Sequence, residues 1–166
     1  MTRQNPTATL KIRRVTQEDC RLLWEWANDP VVRGRAFSSE SIPWSAHERW
    51  FQAKLKDPDC TFLLITDEQG QPMGQVRFDK GRDGTTETDL SVAPSLRGQG
   101  LGPQVLKLAC KQLPVVSPRA RRIIAAIKPE NKASIRTFEK VGFRHEGQKQ
   151  VKGNRAIVMS MEVHSR

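Results

Sequence analysis

The run Thr86-Glu87-Thr88-Asp89-Leu90-Ser91-Val92-Ala93-Pro94-Ser95-Leu96-Arg97-Gly98-Gln99-Gly100-Leu101-Gly102 reads as a strand that enters a glycine-rich turn and then a helix. At such a junction several backbone N–H groups have no helical partner, and the positive end of the helix dipole points at the same spot. An anionic ligand such as a pyrophosphate suits that point. Neither familiar nucleotide fingerprint is present. A GxGxxG frame starting at Gly98 needs a third glycine where Pro103 stands, and no Gly-Lys-Ser/Thr follows for a Walker loop. Pro103 instead suits the first turn of a helix.

Outward from this junction, strand character extends over Thr9–Val15, Thr61–Thr66, Gln71–Phe78, Thr86–Val92, Arg121–Ile127, Phe143–Gln148 and Arg155–Val163. Asp67-Glu68-Gln69-Gly70 and the Lys80–Thr85 stretch have turn composition, so three of these strands are expected to form an antiparallel meander. Four helices are expected. The first follows Thr16 as N-cap, with Asp19 at the capping-box position, and is stopped by Pro30. The second begins at Ser45, where Ser45-Ala46-His47-Glu48 fits a capping box, and ends at Asp57-Pro58. The third leaves the glycine cluster near Gly98, and the fourth runs from about Asn131 to Val141 and closes at Gly142. Strands and helices mixed in this order indicate an α/β, or mixed α+β, fold.

The chain has 166 residues, which favours one domain over residues 1–166, and its 37% apolar and 28% charged composition indicates a globular protein. No apolar run approaches the ~20 residues that span a bilayer. The first residues, MTRQNPTATLKIRR, lack a signal-peptide hydrophobic region, so a cytoplasmic location without membrane contact is expected. Cys20, Cys60 and Cys110 form no CxxC pair, and each reads as a small buried apolar residue; neither a disulfide framework nor a metal site is expected. The net charge of +10 is uneven. Residues 1–96 hold 13 basic and 14 acidic side chains, whereas residues 97–166 hold 15 basic and 4 acidic ones. That asymmetry suggests a polyanionic partner, either nucleic acid or a small phosphorylated molecule.

Arg97-x-x-Gly100-x-Gly102 resembles the acetyl-CoA pyrophosphate loop of the GNAT superfamily of N-acetyltransferases. Asn131-Lys132-Ala133-Ser134-Ile135-Arg136-Thr137-Phe138-Glu139-Lys140-Val141-Gly142-Phe143 resembles the second hallmark of that family. The resemblance implies a mostly antiparallel twisted sheet of about seven strands with one splayed parallel pair, flanked by the four helices. It implies acetyl-CoA as co-substrate, with Gly98, Gln99, Gly100, Leu101 and Gly102 on the pyrophosphate, Arg97 as the basic residue of the motif, and the main chain at Leu90 and Val92 along the pantetheine arm. Asn131, Ser134 and Phe138 would meet the cofactor from the last helix.

The implied reaction is direct attack of an amine on the thioester. An alkyl amine, with a pKa of roughly 8–10, is mostly protonated at neutral pH, so its proton must be removed. Strand alternation puts Glu87, Asp89 and Ser91 on one face of their strand. Glu87 is the first expectation for the base and Asp89 the second. Many family members protonate the departing thiolate with a Tyr where Phe138 stands here, and this chain has no Tyr. Ser134, one turn earlier, is then the candidate donor.

Acceptor residues in the family lie in the first helices. Trp26-Ala27-Asn28-Asp29-Pro30-Val31-Val32-Arg33, with Phe37, Trp44 and His47-Glu48-Arg49-Trp50-Phe51, resembles the branch that acetylates UDP-linked 4-amino-4,6-dideoxy sugars. That implies a nucleotide-linked small-molecule amine, with Arg33 and Arg35 toward phosphates and Trp44, His47 and Trp50 toward the sugar or base. A homodimer is compatible with this reading. The rivals are acetylation of ribosomal-protein N-termini or of aminoglycosides. A non-catalytic nucleic-acid module is the remote rival; it lacks a recognition helix or an aromatic-basic sheet, so no nucleic-acid partner is expected.

Overall fold

A computed structural model describes residues 9–164; the outermost residues of the expected 1–166 domain lie outside that range. Seven strands form one sheet: β1 (Lys11–Arg14), β2 (Cys60–Thr66), β3 (Pro72–Lys80), β4 (Thr85–Val92), β5 (Arg122–Ile127), β6 (Arg144–Val151) and β7 (Asn154–Glu162). Their order across the sheet is β1-β2-β3-β4-β5-β7-β6, antiparallel throughout except for the parallel pair β4–β5. Five helices flank it: α1 (Cys20–Ala27), α2 (Pro30–Arg35), α3 (Trp44–Lys56), α4 (Leu101–Val116) and α5 (Lys132–Val141).

Strand alternation divides the core in two. On one face, Leu63, Ile65, Val76, Phe78, Ile123, Ala125 and Met159 meet Val105, Leu106, Ala109 and Leu113 of α4 and Ile135 and Phe138 of α5. On the other, Phe62, Leu64 and Cys60 meet Cys20, Leu23 and Trp26 of α1 and Phe51 of α3. Each fully buried Leu, Ile or Phe here contributes about 1.5–3 kcal/mol, which is why the alternation fixes the register.

Two local expectations change. Four helices become five, because Pro30 does not merely end the first: it is the first residue of α2, where its missing N–H costs nothing, and Asp29 caps it by accepting from Val31 N (3.0 Å) and Val32 N (3.4 Å). The capping box at Ser45 does not form. Pro43 holds the extended entry and the His47 N–H donates to the Pro43 carbonyl (3.0 Å), so α3 starts at Trp44 with Ser45 already in its first turn. Ahead of α1, by contrast, a short 3-10 turn (Gln17–Asp19) is capped as expected: Thr16 N donates to Asp19 Oδ2 (2.8 Å), with Arg13 closing on the same carboxylate. Gly142 ends α5 as expected, in the left-handed region (φ 111°), with the Phe143 N–H returning to the Phe138 carbonyl (3.0 Å).

Candidate active site

The parallel ladder between β4 and β5 is short. Thr85, Thr86 and Glu87 pair with Arg122, Ile123 and Ile124, and beyond that row the two strands have no mutual pairing. The main chain of β4 from Thr88 to Val92 therefore lines one edge of a wedge-shaped opening, with Ala125–Ile127 on the other. Leu90 and Val92, expected beside the cofactor, lie on this edge, half-buried. The Thr88 hydroxyl at the vertex is buried without a hydrogen-bond partner. Unpaired strand backbone and an orphaned hydroxyl in one slot match an extended ligand that carries amide groups.

At the mouth of the opening the chain turns into α4. Gly98 and Gly100 adopt left-handed φ values of 74° and 75°, and a side chain built at either would meet nothing within 4 Å. Gly98, Gln99 and Gly100 are exposed, Leu101 and Gly102 are half-buried, and Gly102 packs closely on Thr137 of α5. Space and unpaired amides meet at the helix start, so the loop fits a pyrophosphate. Arg97, the basic residue of the motif, faces elsewhere: its Nη1 lies 2.8 Å from Asp29 Oδ1, and its buried Nη2 has no partner. Burial opposes ionisation of Asp29, but the bonds from Arg97 and the two α2 amides outweigh it and hold the carboxyl below its usual range. Arg97 thus fastens the glycine loop to the cap of α2.

The α1–α3 side of β3 and β4 is polar where it faces the opening. Register sets Gln75 opposite Ser91, Arg77 opposite Asp89 and Asp79 opposite Glu87. Gln75 is buried, and its Nε2 donates to Asp89 Oδ2 (2.9 Å) and Ser91 Oγ (2.7 Å). The Arg77 guanidinium donates to Asp79 (2.8 Å), lies 3.8 Å from Asp89 and rests on the Trp50 ring at 5.0 Å. Burial works against the Asp79 carboxylate, yet Lys54 and Arg77 hold its pKa below the ordinary value. Asp89 lies beyond the last β4–β5 row and so flanks the opening, whereas Glu87 lies within the closed part, its Oε1 3.2 Å from Lys149 Nζ.

The remaining expected residues are distributed unevenly. Asn131 caps α5, its Oδ1 accepting from Ser134 N (3.2 Å), which leaves Ser134 in the first turn, half-buried. Phe138 is a core residue, only 3% exposed and edge-on to Phe143, so its ring is engaged in packing rather than free for a ligand. Arg33 is committed to carbonyls of Ala27, Ser38 and Glu40, which brace the turn after α2. His47 is also core: it is 3% exposed, stacks on Phe51, and its Nε2 donates to the Cys20 carbonyl (3.1 Å). Burial pushes its pKa down. Trp44 packs edge-on against Trp24, and Trp50 carries Arg77. Trp44 and His47 thus brace the scaffold, while two of the five acceptor candidates are exposed: Trp50, 37% exposed, and Arg35, which lines a cavity described below. The three cysteines are unpaired, and burial pushes the thiols of Cys60 and Cys110 up to about 12, far from nucleophilic thiolates.

Sequence reasoning missed Gln75, Arg77, Lys149 and Asp29. For the first two a signal existed: Gln75-Val76-Arg77-Phe78-Asp79 alternates polar and apolar residues in a strand that is buried on both faces.

Residues 9–144 match the acetyltransferase (GNAT) domain family. The chain is 28% identical over 130 residues to an L-methionine sulfoximine/L-methionine sulfone acetyltransferase of Pseudomonas paraeruginosa, covering 73% of this chain and 72% of that protein. It is 26% identical over 149 residues to a phosphinothricin N-acetyltransferase of Streptomyces coelicolor, covering 85% of each. Among solved structures, a spermidine N-acetyltransferase from Vibrio cholerae in complex with CoA and spermine superposes with a TM-score of 0.81 at 17% identity, over 93% of this chain and 95% of that one. An aminoglycoside acetyltransferase in complex with coenzyme A superposes with a TM-score of 0.79 at 20% identity, over the same shares.

Proposed function

From the match over residues 9–144, the chain belongs to the GNAT acetyltransferase family, and we propose that it transfers acetyl from acetyl-CoA to the primary amine of a small molecule. The observation that carries this reading is the parting of β4 and β5 beyond the Glu87–Ile124 row, next to a glycine loop at the start of α4. Backbone amides from Gly98 to Gly102 hold the pyrophosphate, and the free edge of β4 at Leu90 and Val92 receives the pantetheine amides. When bound, acetyl-CoA supplies an activated acyl group.

The amine approaches from the α1–α3 side, where Asp89 and Glu87 favour its ammonium form electrostatically. Asp89 takes the proton, directly or through a water, because it flanks the opening and is oriented by Gln75 and Arg77. Unpaired N–H groups of β4 stabilise the oxyanion that develops as the amine adds to the carbonyl. Collapse breaks the carbon–sulfur bond. The thiolate takes its proton from water or from Ser134, since no phenol is available.

For the acceptor we infer a small amine of the amino-acid kind, in keeping with the methionine sulfoximine and phosphinothricin acetyltransferases that the chain resembles. A nucleotide-linked amino sugar is the second reading. Its support is the Trp26–Phe51 run, and it is weakened because Arg33 is bonded to backbone carbonyls, Trp44 packs on Trp24 and His47 is buried, while Trp50 stays 37% exposed. Free-thiol release from acetyl-CoA tests both, with L-methionine sulfoximine, phosphinothricin, a UDP-linked 4-amino sugar, spermidine and kanamycin as acceptors. Turnover with an amino acid supports the first reading and turnover with the nucleotide sugar alone supports the second. If CoA leaves thermal stability unchanged and no amine accelerates thiol release, the chain does not work in this way.

A further inference from the structure

We propose that the cavity bounded by α2, the β5–α5 connection and the start of β7 binds an anionic group of the acceptor, a carboxylate or a phosphoryl group, so that the preferred substrate carries both an amine and an anion. This rests on the acetyltransferase reading above and narrows its substrate class. The cavity has a volume of about 560 Å³, within the range of small-ligand sites. Arg35, Lys128, Lys132, Arg136 and Arg155 line it, against the single carboxylate of Glu130. Among the described residues, none of those five cations lies within ion-pair distance of a carboxylate. Five like charges around one space repel each other, and entry of an anion relieves that repulsion.

Its position separates it from the pyrophosphate loop. No residue from Arg97 to Pro103 lines it, and of the residues expected on the cofactor only Asn131, at the start of α5, reaches its wall; the loop lies at the start of α4 on the β4 flank of the opening, while the cavity lies at the end of β5, where Lys128 directly follows the strand. Its far wall comes from the acceptor side. Asn154 donates to the Phe37 carbonyl (3.2 Å) and so holds the β6–β7 hairpin against the chain that leaves α2. The same hairpin sends Lys149, paired with Ala156 next to Arg155, to Glu87. One hairpin therefore borders both the cationic cavity and the carboxylates that attract an ammonium. A polycation finds its amine welcome at Asp89 and its remaining charges repelled; an amine bearing an anion is complementary at both ends.

Gly34 offers a test that spares the fold. It lines the cavity, and a Cβ placed on it meets nothing within 4 Å, so Gly34→Glu adds a negative charge to the cavity without a clash. Thermal stability is measured with inorganic phosphate at constant ionic strength, in saturating CoA so that the pyrophosphate loop is already filled. The parent is expected to gain stability from phosphate. Gly34→Glu and the pair Arg35→Glu with Arg155→Glu are expected to lose that gain while keeping the response to CoA. With the acceptor found by the thiol assay, the same variants should raise KM about tenfold, yet change KM less than about twofold for the matching amide or ester that lacks the anion. A parent that ignores phosphate overturns the proposal. So do variants that still respond to it, and so do variants that lose their response to CoA, which would mean that the cavity holds phosphates of the cofactor. A parent that ignores CoA itself instead removes the acetyltransferase reading.

Discussion

Under α4 and α5 the sheet packs Leu63, Ile65, Val76, Phe78, Ile123 and Met159; under α1 and α3 it turns in Gln75, Arg77 and Asp79 beside Phe62 and Leu64. On the first face the opening is bordered by backbone: a free strand edge and two left-handed glycines. On the second it is bordered by side chains of β3 and β4, and Asp29, Asp89 and Glu87 there are each bonded to a partner distant in sequence. A cofactor common to a whole family can be held by backbone geometry, which tolerates changes of side chain. An acceptor particular to one enzyme needs side chains, and those need support. The Arg97–Asp29 pair is where the two systems touch.

The largest expected effect strikes the backbone-built side. Gly100→Asp forces a side chain onto a φ of 75° and aims a carboxylate at the phosphate position, so acetyl-CoA affinity should fall at least about a hundredfold, read by calorimetry. A folded variant that binds acetyl-CoA like the parent would show that the loop is not the cofactor site.

Next in size is a comparison within the side-chain-built face. Asp89→Asn should lower kcat about a hundredfold, with the greatest loss at low pH where free amine is scarce, while Glu87→Gln should cost no more than about threefold. The reverse order would give the proton to Glu87 and reduce the Gln75–Asp89 bond to a structural role.

The smallest effect concerns stability. His47 is buried as the neutral imidazole and its pKa is lowered by burial, whereas the unfolded chain takes up the proton near the ordinary value of 6.5. Below that value the unfolded state binds more protons, so stability is full above it and declines as pH falls toward the folded pKa. The melting temperature of the parent should drop between about pH 7.5 and about pH 5.5, and His47→Gln should flatten that part of the curve. An unchanged slope in the variant would move the titration to another group.

All seven strands were legible, because β-branched composition and the turns at Asp67–Gly70 and Lys80–Thr85 are local signals, although β2 is buried along its whole length and β6 is almost wholly exposed. The turn into α4 was legible for the same reason. Helix α2 was not: it has six residues, includes Gly34, and starts at a proline that from sequence looks like a stop. Phe138 and His47 sit within sequence patterns that suggest ligand contact, but burial in the two cores decides their role, and burial is a property of the assembled sheet.

The fold family, the faces of β4 and the glycine loop follow from local order, since each depends on dihedral preferences and side-chain alternation within a few residues of chain. Which side chains remain accessible to an acceptor depends on packing between distant segments. Glu87 meets Lys149 across 62 residues and Asn154 meets Phe37 across 117, and no local preference encodes such pairings. They arise in the assembled sheet, where the β6–β7 hairpin is paired onto β5, and there Arg35 and Arg155 line one cavity while Arg33 is committed to the backbone.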